Sequence, residues 1–208
     1  MYTPKYFKET NPEIIRNFIK QNNFATIVSQ VNGEPIASHL PLEYFCSEEG
    51  EYIKGHMARG NKQWRTFQNN QTILAMFLGP DAYISPSWYD HVNVPTWNYA
   101  AVHVYGKPAI IEDRPELLEL LKYQVDKYEK NESGEYQLET LPKSFLETEI
   151  LGVVGFKIKV ERMEANFKLS QNRNQKNYEK VIQKLIERKE EKSVEVAKLM
   201  TENNPHSN

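Results

Sequence analysis

A strand-to-helix corner in the first third of the chain carries residue types that bind phosphate. The segment 55–64 reads GHMARGNKQW, in which a short strand pattern ends and a short helix pattern over residues 58–68 begins. The N–H groups at the start of a helix attract an anion, and an arginine can hold a phosphate through two parallel hydrogen bonds. The segment therefore predicts a phosphate site at Arg59, with a plain strand-to-helix connection as the alternative.

Two other segments contain side chains that suit a flat, polar ligand. In the strand-like segment 37–41 (ASHLP), alternation puts Ser38 on one face and His39 on the other, so each can meet a ligand or serve the structure alone. Trp88 and Trp97 flank a loop that contains prolines. Their rings suit stacking on an isoalloxazine or another ring system, and they equally suit an aromatic core or an interface.

The sequence contains no motif of a zinc site or of a serine nucleophile. The histidines at positions 39, 56, 91 and 103 show neither the H-E-x-x-H pattern nor a pairing with cysteines, so no metal site is predicted. A single histidine could still be the axial ligand of a haem iron. The G-x-S-x-G elbow and the two glycine-rich phosphate loops do not occur in the sequence.

The elements that must hold these residues follow from hydrophobic periodicity and turn residues. Strands are predicted over 24–31, 35–45, 52–56, 72–78, 82–85, 97–105 and 150–164, and helices over 10–23, 58–68, 113–128 and 175–201. Asn32-Gly33 predicts a tight hairpin, and residues 131–140 are predicted to be a polar loop. The short connections favour an antiparallel barrel over a doubly wound sheet.

Composition and charge limit the class of protein. The 208 residues are 39% hydrophobic with a net charge of −2, and no apolar run suits a membrane span or a secretory signal, so we expect a cytoplasmic globular protein. The single cysteine, Cys46, cannot form an internal disulfide and is expected to be buried or half-buried. Residues 157–198 hold 12 Lys and Arg against 7 Asp and Glu. This basic region can be a solvated helix face, or it can contact nucleic acid or an acidic surface.

Seven segments, taken in their order and spacing, match the pattern of a known family. They are MYTP (1–4), SHLP (38–41), GHMARGN with QW (55–64), DAYISPSWY (81–89), PTWNY (95–99), HVYG (103–106) and KLSQNR (168–173). Together they resemble the PaiB family of FMN-binding split-barrel proteins, which are negative transcriptional regulators of protease synthesis and sporulation. The resemblance extends from the first residue to about residue 173, which is most of the chain.

The resemblance implies an α+β fold: an antiparallel six-stranded split β-barrel, related to pyridoxamine-phosphate oxidase, with peripheral helices and a C-terminal helical tail. It implies an FMN-binding domain over residues 1–173 and a charged helical extension over residues 174–208. In such barrels two subunits pack face to face as a homodimer, and each FMN lies in the groove between them. The corresponding cofactor-binding residues are Ser38, His39, His56, Met57, Ala58, Arg59, Asn61, Gln63, Trp88 and Trp97.

The function implied by the resemblance is that of a flavin-binding repressor of transcription, a regulator rather than an enzyme. DNA would be contacted through the basic C-terminal region. The sequence has no helix-turn-helix pattern, so this role depends on the resemblance. Three alternatives stay open: an FMN-dependent oxidoreductase, a barrel that binds or degrades haem, and an interaction module with an empty pocket. The predicted cofactor is FMN, with haem as the alternative.

Overall fold

The computed structural model describes residues 1–69, 71–130, 132 and 136–206. Its strands and α-helices in chain order are β1 (Lys8–Glu9), α1 (Pro12–Gln21), β2 (Phe24–Val31), β3 (Glu34–Ser47), β4 (Gly50–Ala58), β5 (Ile73–Ile84), β6 (Thr96–Ile110), α2 (Arg114–Glu129), α3 (Lys143–Leu151), β7 (Val153–Lys168), α4 (Gln175–Glu187) and α5 (Glu191–Glu202). A 3₁₀ helix, Lys62–Asn69, connects β4 to β5. Within the described residues, no helix has the length and apolar character needed to cross a membrane.

The strands form one sheet in the order β1-β7-β4-β3-β2-β5-β6, and a further pairing of β7 with β6 closes the sheet into a ring. The pairs β1–β7, β2–β3, β2–β5, β3–β4 and β4–β7 are antiparallel. Apart from the two-residue β1, the ring consists of long strands, β2 to β7. The prediction of an antiparallel six-stranded split β-barrel with peripheral helices, an α+β fold, is confirmed.

The β2–β3 hairpin depends on the two residues of its turn. Asn32 and Gly33 both have positive φ angles, of 50° and 88°, which the tightest hairpin turns require and which asparagine and glycine tolerate best. The turn sets the register of the whole hairpin, in which His39 lies opposite Thr26. The hairpin predicted from Asn32-Gly33 is confirmed.

Two prolines lie within β3 without ending it. Residues 34–41 of β3 pair with β2, and residues 42–47 pair with β4. Pro35 and Pro41 therefore lie in the part of β3 that has a partner strand on one side in these pairings. A proline, which lacks the main-chain N–H group, disturbs a strand that is paired on one side less than a strand that is paired on both sides.

The chain divides into two compact units. The first comprises residues 1–22, 77–103 and 164–208, and the second comprises residues 23–76 and 104–163. In the first unit the ring of Phe18, on α1, lies 5.0 Å from that of Phe167. Tyr178 of α4 is fully buried and donates a hydrogen bond of 2.6 Å to the main-chain oxygen of Met200 on α5. The helical tail thus belongs to the first unit, and the boundary between residues 173 and 174 stays a prediction.

The second unit contains its own core and one position that only glycine can occupy. Its fully buried core side chains include Ile27, Leu42, Ile53, Phe156 and Ile158. Gly106 lies where β6 approaches β7, and a Cβ atom there would be 2.1 Å from the main-chain oxygen of Lys159. Such a contact is too short for any side chain, so Gly106 allows the two strands to approach.

Helix α2 is held against β3 and β4 by charged side chains. Its N-terminus is capped by Asp113, whose carboxylate accepts a hydrogen bond of 3.0 Å from the main-chain N–H of Glu116. The Glu116 carboxylate then pairs with Lys54 of β4 at 2.9 Å. Near the other end, Lys127 pairs at 2.8 Å with the buried carboxylate of Glu43.

Two predicted helices differ from the structure. Residues 58–68 form no α-helix, because β4 continues to Ala58 and the 3₁₀ helix begins only at Lys62. The helix predicted over residues 175–201 is two helices, α4 and α5. Lys189, in the break between them, has a φ of 58°, a left-handed conformation that ends an α-helix.

The region before β7 was also predicted wrongly. The final strand begins at Val153 instead of residue 150, and α3 precedes it. Ile150 of α3 packs in a buried cluster with Leu117 and Leu120 of α2. This helix acquires a buried side only through α2, which is distant in sequence, so local periodicity did not indicate it.

Three smaller expectations have different outcomes. Of the predicted loop over residues 131–140, residues 131 and 133–135 lie outside the described residues, and Leu138–Thr140 form a short 3₁₀ helix. The two strands predicted over residues 72–78 and 82–85 are one continuous strand, β5. The expected burial of Cys46 is wrong, because Cys46 is exposed near the end of β3.

Candidate functional site

The corner between β4 and the 3₁₀ helix is fastened to β3 by Asn61. The Asn61 side chain accepts a hydrogen bond of 3.0 Å from the main-chain N–H of Gln63, and its amide donates one of 2.7 Å to the hydroxyl of Ser38. The first bond caps the start of the 3₁₀ helix, and the second links the corner to the neighbouring strand. At Gly60, between β4 and this cap, a Cβ atom would have no heavy atom within 4 Å, so the corner is open on that side.

Arg59 is exposed, and part of its hydrogen-bonding capacity is already used. Its Nε donates to the main-chain oxygen of Leu151 at 2.6 Å, and an Nη donates to that of Val153 at 3.1 Å. Its main-chain N–H donates to the oxygen of Gly152 at 2.8 Å. Because a guanidinium has five N–H groups, Arg59 can hold the corner against the start of β7 and still donate to a ligand.

A second cation at the corner is Lys62, which the sequence reasoning did not single out. Lys62 is exposed at the first position of the 3₁₀ helix and forms no ion pair with any described residue. The signal was its place, since a basic residue near the start of the helix predicted over residues 58–68 lies close to the N–H groups that attract anions. Behind the corner, the indole N–H of Trp64 donates to the main-chain oxygen of Arg59 at 3.0 Å.

Gln63 is buried and holds the corner against the β2–β3 hairpin. Its amide nitrogen lies within hydrogen-bonding distance of three acceptors: the main-chain oxygens of Ile27 and Ile36, at 3.1 and 3.2 Å, and the hydroxyl of Ser29, at 3.1 Å. Its Oε1 is buried and has no hydrogen-bond partner among the described residues. Gln63 therefore serves the position of the corner, and its side chain is not exposed to a ligand in solution.

The two predicted residues of β3 point to opposite faces of the strand. Ser38 faces Asn61 and is half-buried. His39 is exposed on the other face, where its Nδ1 lies 2.9 Å from the hydroxyl of Thr26 on β2. The structure thus brings Ser38 together with the corner and places His39 on the outer surface of the hairpin.

The three predicted residues of β4 have three different environments. His56 faces α2, with its Nδ1 2.7 Å from the Oε1 of Gln124. Met57, on the opposite face of the strand, is buried in the core. Ala58 is exposed and begins the corner. Of these three residues, Ala58 is therefore the one whose side chain is open to a ligand at the corner.

Trp88 and Trp97 both belong to the first unit. The Trp97 side chain is 52% exposed, and its ring meets that of Tyr83 edge to face, with centroids 5.9 Å apart. The ring of Trp88 is half-buried, with the guanidinium of Arg188 4.5 Å from its centroid. Trp97 therefore has the more accessible ring, whereas Trp88 already carries a cation on its face.

The segment KLSQNR, one of the segments that resemble the PaiB family, begins at Lys168, whose side chain contacts the main chain of Trp97. The Lys168 Nζ donates a hydrogen bond of 2.7 Å to the main-chain oxygen of Trp97. Burial lowers the pKa of Lys168, and the positive charge of Arg173 lowers it further. This contact positions Trp97 without occupying its ring.

The outer face of β2, β3 and β5 in the second unit is apolar and uncovered in the single chain. Val28 lies opposite Leu74, and Thr26 lies opposite Met76. The apolar side chains are half-buried at these positions, and Phe24, at the start of β2, is 70% exposed. An apolar patch on a sheet face is typical of a surface that another molecule covers.

With this geometry in place, comparison with known proteins decides the family. A family model described as "Putative FMN-binding domain" matches residues 1–162. This chain belongs to that FMN-binding family. It is also 50% identical over 200 residues to the protease synthase and sporulation protein PAI 2 of Bacillus subtilis strain 168, with 96% of each protein covered. The resemblance to PaiB proteins and the prediction of FMN as the cofactor of the family are confirmed.

Two solved structures share the fold of this FMN-binding family member. The flavocytochrome Anf3 of Azotobacter vinelandii matches with a TM-score of 0.62 and 15% identity, over 86% of this chain and 78% of that one. The FAD and heme binding protein of Mycobacterium smegmatis matches with a TM-score of 0.61 and 12% identity, over 77% and 73%. At these identities the similarity is one of fold.

The donors at the corner fit the phosphate of FMN. Arg59 and Lys62 supply two exposed cations, and Ser38 and Asn61 supply polar groups beside them. Arginine, lysine and hydroxyl groups are the usual protein partners of a phosphate. Among the described residues there is no group of three or more His, Cys, Asp or Glu side chains that could hold a metal ion.

Proposed function

We propose that this chain binds FMN at the corner formed by residues 58–62 and the adjoining part of β3, as a cytoplasmic homodimer. The observation that carries the proposal is the 2.7 Å hydrogen bond between Asn61 and Ser38. It holds the two segments that the PaiB resemblance assigns to the flavin beside each other. Arg59 and Lys62 would meet the phosphate. Ala58 also has an accessible side chain at the corner, whereas the side chain of His39 is exposed on the opposite face of β3.

The contacts of Arg59 and Lys62 indicate different roles for these two cations in binding the phosphate. Arg59 is anchored to the carbonyl groups of Leu151 and Val153, so its guanidinium is already oriented before a ligand arrives. Lys62 has no such anchor and supplies a mobile point charge. Bound FMN would bring redox chemistry of its own, and the residues of this chain would bind and orient it.

The homodimer is supported by the apolar outer face of the hairpin. Val28, Leu74 and Met76 form a patch there, with Phe24 at its edge. A second copy would cover this patch by a twofold contact that buries the same surface on both subunits. His39 lies on this face too, so the proposed partner would cover it. Trp88 and Trp97 are proposed to line the flavin ring.

A direct test measures flavin binding in solution. The absorbance spectrum of the purified protein is recorded, and flavin-free protein is titrated with FMN while flavin fluorescence is followed. Loss of one charge-assisted hydrogen bond is worth about 1.5 to 3 kcal/mol, so Lys62→Gln should weaken FMN binding by at least about tenfold. Lys143→Gln, an exposed lysine at the start of α3, is the matched control and should bind normally.

Arg59→Gln extends this test and needs a second readout. It should weaken FMN binding to a similar degree, but it also removes the bonds to the start of β7, so its thermal stability is measured in parallel. If Lys62→Gln and Arg59→Gln both bind FMN as tightly as the unchanged protein, the corner is not the phosphate site.

The regulatory role is proposed from the relative in Bacillus subtilis, whose name links it to protease synthesis and sporulation. We propose that this chain represses transcription of genes in those processes and that DNA contacts the basic region over residues 157–198. Some of its charges have acidic partners, such as Lys192 with Asp81 at 2.8 Å. Lys180 and Lys189 have no ion pair with described residues and are the better candidates for phosphate contacts.

The DNA proposal is tested with promoter DNA at two salt concentrations. Affinity should fall steeply between about 50 and 200 mM salt, because phosphate contacts release counterions. The double variant Lys180→Gln/Lys189→Gln should bind more weakly and show a smaller salt slope. Substitution is preferable to truncation here, because α4 and α5 carry buried side chains of the first unit. Unchanged affinity in the double variant would exclude these lysines as the contacts.

Haem is the second candidate ligand, since both structural relatives have haem or cytochrome in their names. The spectrum that tests FMN also separates the two, because haem gives a sharp Soret band and flavin gives two broad bands. Bleaching of bound flavin by NAD(P)H would favour the oxidoreductase alternative. Stable flavin in the presence of NAD(P)H, together with DNA binding, would favour the regulator.

A further inference from the structure

The second unit contains an apolar cavity between α2 and α3 that the proposed flavin site does not use. Its volume is about 550 Å³, within the range of cavities that bind small organic molecules. Most of its lining is aliphatic or aromatic. The lining from the two helices and the segment before α3 includes Leu121, Val125, Leu141, Phe145, Leu146 and Ile150.

His56 and Gln124 form one polar end of this cavity, and the hydrogen bonds of Gln124 indicate which ring nitrogen of the histidine carries the proton in the neutral tautomer. The Gln124 amide nitrogen donates to the main-chain oxygen of Pro41 at 3.3 Å, so its Oε1 is the atom that faces His56 Nδ1, at 2.7 Å. A carbonyl oxygen can only accept, so Nδ1 carries the proton. In the neutral ring Nε2 is then an acceptor, and it has no hydrogen-bond partner among the described residues.

The cavity also has two carboxylates in its lining. Glu129, at the end of α2, and Glu149, on α3, both line it, and neither forms an ion pair with a described residue. The hydroxyl of Tyr128, which lines the cavity too, is already engaged by Asn23 at 2.6 Å. The cavity thus combines apolar walls, an acceptor at His56 and a net negative charge.

We propose that this cavity binds a small organic cation that has an apolar body and one N–H or O–H donor. The donor would bond to Nε2 of His56, the body would pack against the apolar side chains, and the positive charge would meet Glu129 and Glu149. Arylalkylamines have this combination of groups. An anionic ligand of the same shape would be repelled by both carboxylates.

The test uses tyramine as the probe, titrated into the full-length protein by isothermal calorimetry. Saturable binding at one site is expected. Two analogues separate the contributions: 2-phenylethylamine lacks the hydroxyl donor, and 3-(4-hydroxyphenyl)propionate replaces the ammonium with a carboxylate. The first should bind about fivefold more weakly, as for loss of one hydrogen bond, and the second should show no saturable binding.

Matched variants locate the site. The double variant Glu129→Gln/Glu149→Gln should bind tyramine at least about tenfold more weakly, whereas Glu147→Gln, an exposed position on α3 outside the cavity lining, should bind normally. Val125→Phe should fill the cavity and abolish binding. Its circular dichroism and thermal midpoint are recorded, and if it does not fold, the glutamine variants decide.

Several results would overturn the proposal. They are the absence of saturable tyramine binding to the unchanged protein, equal affinity for the propionate analogue, or full affinity in the double glutamine variant. A haem Soret band that disappears in folded Val125→Phe would assign the cavity to a macrocycle and would also overturn it.

Discussion

Asn61 offers the sharpest test of the corner, because two substitutions separate bonding from charge. Asn61→Ala removes both hydrogen bonds of the side chain and adds no charge, whereas Asn61→Asp adds a negative charge. Its side chain caps the 3₁₀ helix through Gln63 and holds β3 through Ser38. Loss of a cap costs about 1 kcal/mol, and loss of a partly buried hydrogen bond costs about another. Asn61→Ala should therefore lower the free energy of unfolding by about 2 kcal/mol, which is a fall in Tm of about 4 to 8 °C for a chain of this size.

Asn61→Asp should behave differently. The carboxylate can still accept from the Gln63 N–H group, and the Ser38 hydroxyl can turn to donate to it, so the loss of stability should be below about 1 kcal/mol. The added negative charge lies beside the proposed phosphate, however. Repulsion between two charges a few ångströms apart near a surface is worth on the order of 1 to 4 kcal/mol, so FMN affinity should fall by at least about fivefold.

The two substitutions should thus give opposite orders in two assays. In urea denaturation of the flavin-free protein, Asn61→Asp should be more stable than Asn61→Ala. In titration with FMN, Asn61→Asp should bind more weakly than Asn61→Ala. If FMN affinity simply follows stability across the two variants, the phosphate is not at this corner and Asn61 has a structural role alone.

Three further predictions concern the framework of the fold and its surface. Gly106→Ala should lower the free energy of unfolding in urea by more than about 3 kcal/mol, because the new Cβ would lie 2.1 Å from the main-chain oxygen of Lys159. Gly60→Ala, where a Cβ has open space, should change it by less than about 1 kcal/mol. Similar losses in both variants would contradict this prediction. Burial acts to raise the pKa of Glu116, but two lysines hydrogen-bonded to it hold the pKa below its usual value. The stability advantage over Glu116→Gln should be present above the unfolded pKa of about 4.3 and be lost as pH falls below that value through the lower pKa of the folded state, and a pH-independent difference would be inconsistent with this coupling. Met76→Lys should shift the protein from dimer to monomer in sedimentation, and an unshifted dimer would exclude the β2–β5 face from the interface.

Much of the fold was predictable because its signals are local. Asn32 and Gly33 specify a hairpin by their tolerance of positive φ, and Asn11 and Asp113 cap the starts of α1 and α2, as these residue types commonly do. Helix α3 was missed for the opposite reason. Its buried residue Ile150 packs against α2, and that contact does not exist in the local sequence.

The candidate site was predictable in part. The segment around Arg59 was recognised from its residue types, and the structure adds that Asn61 bonds to Ser38. Nothing local indicated that the guanidinium of Arg59 would bond to carbonyl groups at the start of β7. The direction of His56 toward Gln124 was equally hidden, because these partners are remote in sequence.

By itself, the sequence determined the family, the hairpin, the helix caps and the set of polar and aromatic residues from which a flavin site can be built. These follow from residue type and short spacing, which backbone sterics and capping translate directly into local structure. Only the tertiary structure decided which of these side chains meet. It placed Ser38 and Asn61 together, turned His39 and His56 away to other surroundings, and formed the cavity between α2 and α3. Those outcomes depend on which strands pair and which helices pack, and such contacts join residues far apart in the chain.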